Sequence, residues 1–203
     1  MTIDRAQFFA RLRANPFGGR LSRPQVAGLD AILDSWGRRS KTPDPALAYV
    51  LATAFHETAA TMQPVRETLA DSDGQAVERL ERAYRAGRLP SVRTPYWRPD
   101  AQGKSWFGRG FVQLTHKRNY QAMADLTGFD LVAEPALAMR LDIAAKILVE
   151  GMRVGLFTGW RLDVFFTPGK ADWTGARRIV NGTDRAERVA DHARAFAAAA
   201  AGL

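Results

Sequence analysis

The sequence predicts a mainly α protein of α+β type: a bilobal helical domain with a small lobe of loops and a β-hairpin, and a cleft between the two. Three observations carry this prediction. Apolar residues recur at helical spacing over most of the chain. The stretch from Gly87 to Gly110 breaks that spacing with Pro90, Pro95, Pro99, Gly103 and Gly108. The 203 residues show no internal repeat and no long linker, which suits one domain, 1–203, whose loop-rich lobe spans about 61–116.

Residues 4–14 have a helical pattern, and Phe17-Gly18-Gly19 reads as a turn. Ser22 and Gln25 form a capping-box pattern with Leu21 before it, and Val26, Leu29, Ile32, Leu33 and Trp36 follow on one helix face. Asp44-Pro45 starts the next helix, which runs to about Thr58 with Leu47, Val50, Leu51, Ala54 and Phe55 as its stripe. A short helix is expected over 74–86, then the loop-rich segment. Phe111 to Thr115 alternates as a short strand would. Helical patterns resume over 117–127, 136–155, 173–180 and 184–201.

Composition narrows the function classes. Hydrophobic residues make up 46% and charged ones 25%, ordinary for a globular chain. The net charge of +8 draws the protein toward polyanions such as an anionic cell envelope. The basic residues are spread out, without the clustered, aromatic-interleaved arrangement of a nucleic-acid binder, so no nucleic-acid partner is expected. No Cys is present, which excludes disulfides and Cys-ligated zinc. No apolar run approaches the ~18 residues of a membrane helix, and the charged N-terminus has no signal-peptide core. The expectation is therefore synthesis in the cytoplasm, no stable membrane insertion, and action after release.

Glu57 is the first candidate for chemistry. On a helical wheel it falls roughly 80° from the centre of the apolar stripe, at the border of the core. Partial desolvation favours the protonated carboxyl that a general acid needs. The helix C-terminus is also an unfavourable place for a negative charge. His56-Glu57 invites a metalloprotease reading, but the second His would fall at position 60, which is Ala60. No metal or cofactor is expected, and His56 is left to packing or hydrogen bonding at the cleft. Glycosidic cleavage uses a second carboxylate across the bond. A continuous helix would put Glu67 about 15 Å from Glu57. Pro64 instead turns the chain, so Glu67 can return across a cleft, with Asp71 and Asp73 as competitors. In an extended 111–115 segment, Phe111, Gln113 and Thr115 would share a ligand-facing side, while Val112 and Leu114 enter the core.

Three blocks then occur in order: Ala54-Phe55-His56-Glu57-Thr58; Gly108-Arg109-Gly110-Phe111-Val112-Gln113-Leu114-Thr115-His116 with Asn119-Tyr120; and Arg178-Ile179-Val180-Asn181-Gly182. Together they resemble the signature blocks of glycoside hydrolase family 19, the chitinase and phage-endolysin family, over roughly residues 45–185. The resemblance implies inverting hydrolysis in a bilobal, lysozyme-like fold. It matches Glu57 to the general acid and Thr115 to the hydroxyl that helps position the water. It matches Gln113, Asn119 and Asn181 to polar residues lining the sugar cleft, and Glu67 to the general base. The second acid of plant chitinases lies further along the chain. The shorter loop here resembles bacterial and phage lysozymes.

The expected mechanism has Glu57 protonating the glycosidic oxygen while Glu67 and Thr115 orient a water, with the carboxyls about 6.5–9.5 Å apart. Trp97, Trp106, Phe107 and Tyr120 are candidate sugar platforms. Arg109 and Arg178 are candidates for contact with acidic polymers or for pairing with cleft carboxylates, pairing being favoured for Arg178. Peptidoglycan glycan strands are the expected partner and a monomer the expected state, in an endolysin-like role at the cell wall. The alternatives are a chitinase acting on N-acetylglucosamine polymers and a catalytically inactive glycan-binding module.

Overall fold

The computed structural model describes residues 3–37 and 44–201. Helices α1 (Arg5–Ala14), α2 (Arg23–Trp36) and α3 (Pro45–Glu57) come first. Strand β1 (Val65–Arg66) leads into a 3-10 turn (Glu67–Leu69) and α4 (Asp73–Arg85). After a long loop follow β2 (Arg109–Gly110), α5 (Lys117–Thr127), a second 3-10 turn (Pro135–Met139) and α6 (Leu141–Val154). The chain ends with α7 (Leu162–Phe165), β3 (Phe166–Thr167), β4 (Lys170–Ala171), a third 3-10 turn (Gly175–Ile179) and α8 (Ala186–Ala200). The fold is mostly helical, as the apolar spacing predicts.

Helix α3 is the axis of the molecule. Ten of its thirteen residues are buried, so it is covered on nearly every side, the arrangement expected of a helix apolar all round. Helix α8 lies along it, with Phe196 against Phe55 and the small Ala193 in the same core, while α2 packs on α6. Local signals set these helices. Ser22 and Gln25 close a reciprocal capping box on α2, and the Asp44 carboxylate accepts from Ala46 N at 2.9 Å ahead of Pro45.

The small lobe has a core of its own, in which Ala70, Ala76, Leu80, Trp97 and Phe107 are buried together. Strands β1 and β2 pair antiparallel, with Val65 opposite Gly110 and Arg66 opposite Arg109. That pairing is what carries Glu67 back beside the end of α3.

The turn out of α3 is built from buried hydrogen bonds. Thr58 Oγ1 donates to Ala54 O and accepts from Met62 N. Gln25 Nε2 holds Ala60 O at 2.9 Å. Gly28 makes the close approach possible, since a Cβ there would lie 1.8 Å from Met62 O.

Three expected elements differ. Phe111–Thr115 is a tight turn, not a strand: Arg109 and Leu114 exchange backbone hydrogen bonds of 3.3 and 3.0 Å, and Gln113 has φ +54°. Phe111 and Val112 are both buried, so the alternation does not divide core from ligand face. The expected 136–155 helix is broken at Arg140, whose extended backbone (ψ 132°) separates the Pro135–Met139 turn from α6. The expected 173–180 helix is a single 3-10 turn. The hairpin β3–β4, joined by Pro168-Gly169, was not anticipated, although Pro-Gly is a turn signal.

Candidate active site

A groove of about 420 Å³ opens between the end of α3 and the β1–α4 connection. Glu57 and Glu67 both line it, together with His56 and Gln113. The two carboxylates arrive from different lobes and are held in different ways.

Glu57 is the last residue of α3, and its side chain is 20% exposed. Its Oε1 accepts from Arg177 Nη1 at 2.5 Å. The guanidinium is 2% exposed, and its Nε donates to Asp184 O at 2.8 Å. Arg177 thus reaches from beneath the groove floor and fixes one oxygen of Glu57. Oε2 makes no hydrogen bond among the described residues.

Glu67 follows β1. Its Oε1 accepts from the Tyr96 hydroxyl at 2.7 Å and its Oε2 from the Gly108 backbone N–H at 2.7 Å. Burial, with the Glu67 hydrogen bond second, pushes the Tyr96 phenol up, so it stays a donor across neutral pH. Each Glu67 oxygen keeps a lone pair for a water.

Gly108 lets the Gln113 amide pack close, since an added Cβ would lie 2.5 Å from Gln113 Oε1 and the amide would have to shift. Gln113 Nε2 donates to Val65 O at 3.3 Å, while its Oε1 is buried without a partner. Leaving such a group unsatisfied costs on the order of 1–3 kcal/mol.

Strain concentrates here. Eight non-glycine residues of the described chain have left-handed backbone, and five of them, Ala59, Thr68, Leu69, Gln113 and Arg185, line the groove. Each such residue costs roughly 1–3 kcal/mol, and clusters of this kind are typical of functional sites. Arg79 Nη1 secures the Thr68–Leu69 pair by donating to both carbonyls, at 2.9 and 3.3 Å.

The competitors of Glu67 lie elsewhere. Asp73 bridges Arg66 Nε at 2.6 Å and Arg109 Nη2 at 2.7 Å. Burial raises its pKa, but the two arginine bonds outweigh this and hold it below the ordinary aspartate value. Asp71 is exposed and outside the groove lining. His56 lies on the groove wall, its pKa lowered chiefly by burial, with the His192 ring 6.3 Å away.

Several expected contacts are not in the groove. Trp97, Trp106, Phe107 and Tyr120 are all buried at 5% exposure or less and serve as core, so none offers a face to a sugar. Trp106 donates its Nε1 proton to Asp100 at 3.1 Å, and the Tyr120 hydroxyl donates to Phe107 O at 2.9 Å. Arg109 is a buried structural cation, stacked 3.7 Å from the Phe107 ring and paired with Asp73, not a polymer contact. Arg178 is exposed, and the pairing expected of it is made by its neighbour Arg177.

Thr115 and Asn119 are half-buried, and neither lines the groove. Asn181 is exposed, and its backbone N–H donates to Arg177 O at 3.0 Å. Sequence reasoning missed Arg177, Leu69 and Arg185. Only for Arg177 was there a signal, its place immediately before the third block, next to Arg178. Among the described residues no group of His, Asp and Glu is arranged to hold a metal ion.

The family model described as chitinase class I, glycoside hydrolase family 19, matches residues 40–147, just over half the chain. No curated protein matches. Among solved structures, a bacterial family 19 chitinase is similar over 100% of this chain and 98% of its own, with 23% identity and a TM-score of 0.54. Chitinase C from Streptomyces griseus HUT6037 is similar over 98% of this chain and 76% of its own, with 20% identity and a TM-score of 0.58. A mutant of chitinase C gives 19% identity and a TM-score of 0.53, over 98% of this chain and 92% of its own.

Proposed function

This chain belongs to glycoside hydrolase family 19, and from that premise we propose that its groove cleaves the β-1,4 glycan strand of peptidoglycan by inverting acid–base hydrolysis. The chain is a glycoside hydrolase; the substrate and the residue roles are the proposal. The observation that carries it is the pair of carboxylates, Glu57 and Glu67, brought from two lobes to the walls of one groove.

In this mechanism Glu57 donates its proton to the glycosidic oxygen as the bond breaks. Arg177, bonded to Oε1, orients the carboxyl so that Oε2 faces the leaving group. Glu67 takes a proton from a water that attacks the opposite face of the sugar. The Tyr96 hydroxyl and the Gly108 N–H keep Glu67 fixed while it does so. Gln113 takes the place expected of Thr115 beside this water, since Gln113 is among the residues lining the groove and Thr115 is not. Preorganisation of this kind lowers the barrier because the groups need not reorient during reaction.

Peptidoglycan is favoured over chitin by charge. The net charge of +8 steers the protein toward an anionic envelope, and Arg66 and Arg185 lie on the groove wall itself. The place of action is then the bacterial cell wall. The test is incubation with purified peptidoglycan and with chitin oligosaccharides, following new reducing ends and the anomer first released by proton NMR. Reducing ends from peptidoglycan in the α configuration support the reading. Release from chitin alone would assign the groove to N-acetylglucosamine polymers, and a β product would make the mechanism retaining.

A further inference from the structure

Two residues of the groove have no part in acid–base chemistry. Leu69 is 58% exposed and stands two residues after Glu67. Its left-handed backbone, φ +52°, is kept by the Arg79 bonds to Thr68 O and Leu69 O. An apolar side chain is thus held out toward the groove rather than into the small-lobe core beside it. Arg185, φ +53°, precedes α8 and also lines the groove. Its nearest acid is Asp184 at 3.8 Å, and both side chains are more than three-fifths exposed, so water screens that pair and leaves the cation available.

One sugar-sized groove therefore presents an apolar branch and a cation besides its two carboxylates. A polymer of N-acetylglucosamine carries methyl groups but no charge, and offers the cation only neutral hydroxyl and carbonyl oxygens, weaker partners than a carboxylate. A muramic acid residue carries a lactyl ether on C3. That arm has a methyl on its chiral carbon, and its carboxyl continues into a peptide stem that bears free carboxylates. We propose that Leu69 and Arg185 form a subsite for this arm, Leu69 meeting the lactyl methyl and Arg185 the acidic stem. The subsite deepens, and rests on, the reading of the groove as a glycan-hydrolysing site. It makes muramic acid the unit by which the protein tells peptidoglycan from chitin.

The test separates binding from turnover. In a Glu57→Gln background, calorimetry measures the affinity for a peptidoglycan tetrasaccharide with intact stems and for a chitin tetrasaccharide. Leu69→Ser and Arg185→Gln are each expected to lower the ratio of the two affinities, by about fivefold and about tenfold, the size of one methyl contact and one charged contact. Arg185→Lys should recover part of the ratio, and raised salt should shrink the Arg185 effect but not that of Leu69. Circular dichroism and Tm confirm that each variant is folded. An unchanged ratio, or no binding of the peptidoglycan fragment, overturns the subsite. Turnover by the unsubstituted protein is scored separately: cleavage of neither glycan overturns the hydrolase mechanism, while the binding ratios still decide the subsite.

Discussion

Arg177 donates to Glu57 Oε1 at 2.5 Å across 120 residues of sequence, and the two side chains differ tenfold in exposure, 2% against 20%. The arginine is the buried partner. Removing the carboxylate therefore strands a buried cation rather than freeing a surface charge, and that asymmetry decides how Glu57 should be tested. Glu57→Ala is expected to cost about 3–5 kcal/mol, the range for breaking a buried pair, so its inactivity would say little. Glu57→Gln keeps an oxygen for Arg177 and should fold, with turnover down about 10²–10⁴-fold. The measurements are urea unfolding and reducing-end release on the same samples. Substantial activity in folded Glu57→Gln protein removes Glu57 from the mechanism.

Gly108→Ala tests the hold on Glu67. The new Cβ would lie 2.5 Å from Gln113 Oε1, so either the amide or the Gly108 backbone must move. Because Gly108 N–H is the donor to Glu67 Oε2, movement loosens the base. A displacement of about 1 Å near reacting groups costs on the order of 10²-fold in rate. The expected result is a fall in kcat larger than the change in KM, with the circular dichroism spectrum retained. An unchanged kcat would mean that Glu67 needs no such support.

Much of the fold was legible because its signals are local. The Ser22–Gln25 box, Asp44-Pro45, and the apolar stripe of the helix ending at Glu57 each fix their element within a few residues. The return of Glu67 was also legible, but Pro64 is not its cause: α3 already stops at Glu57, in the turn that Thr58 holds. What failed depends on tertiary placement. Arg177 and Arg178 are alike in sequence, but adjacent residues of a 3-10 turn point about 120° apart, and the packing of that turn on α7 and α8 buries Arg177 and leaves Arg178 exposed. Trp97, Trp106, Phe107 and Tyr120 could have been sugar platforms or core, and they are core, packed into the buried clusters of the small lobe and of the α5–α6 layer. Leu69 is the converse, an apolar residue that the fold leaves 58% exposed and that no local sequence signal marked.

His192 lies between Phe55, 4.8 Å away, and His56, 6.3 Å away. Burial lowers the pKa of both histidines, so the folded protein keeps them neutral while the unfolded chain takes up protons near pH 6.5. The stability contributed by the neutral forms is present above pH 6.5 and is lost as pH falls through the lower folded values. The Tm should therefore drop between pH 7.5 and 5.5. His192→Phe, which keeps the contact with Phe55, should shrink that drop by calorimetry. A drop of the same size in the variant would assign it to other groups.

Asp73 ties the groove wall to the core of the small lobe through Arg66 and the 3%-exposed Arg109. Burial raises its pKa, the two arginine bonds lower it further than that, and the folded value lies below the ordinary one. Stability from this pairing is present above about pH 4, where the unfolded aspartate is ionised, and is lost as pH falls through the lower folded value. Asp73→Asn should therefore cost stability at pH 7. The loss should be about 1–3 kcal/mol rather than the full buried-pair figure, because the Asp73 side chain is 44% exposed and Arg109 also donates to Ser105 O and the Tyr120 hydroxyl. At pH 3, below the ordinary aspartate value, the unfolded chain takes up a proton at Asp73 that the folded state resists, and the gap between the two proteins should narrow. Urea midpoints at the two pH values give the answer. An equal gap at both would mean that shape and hydrogen bonding, not charge, make the Asp73 contribution.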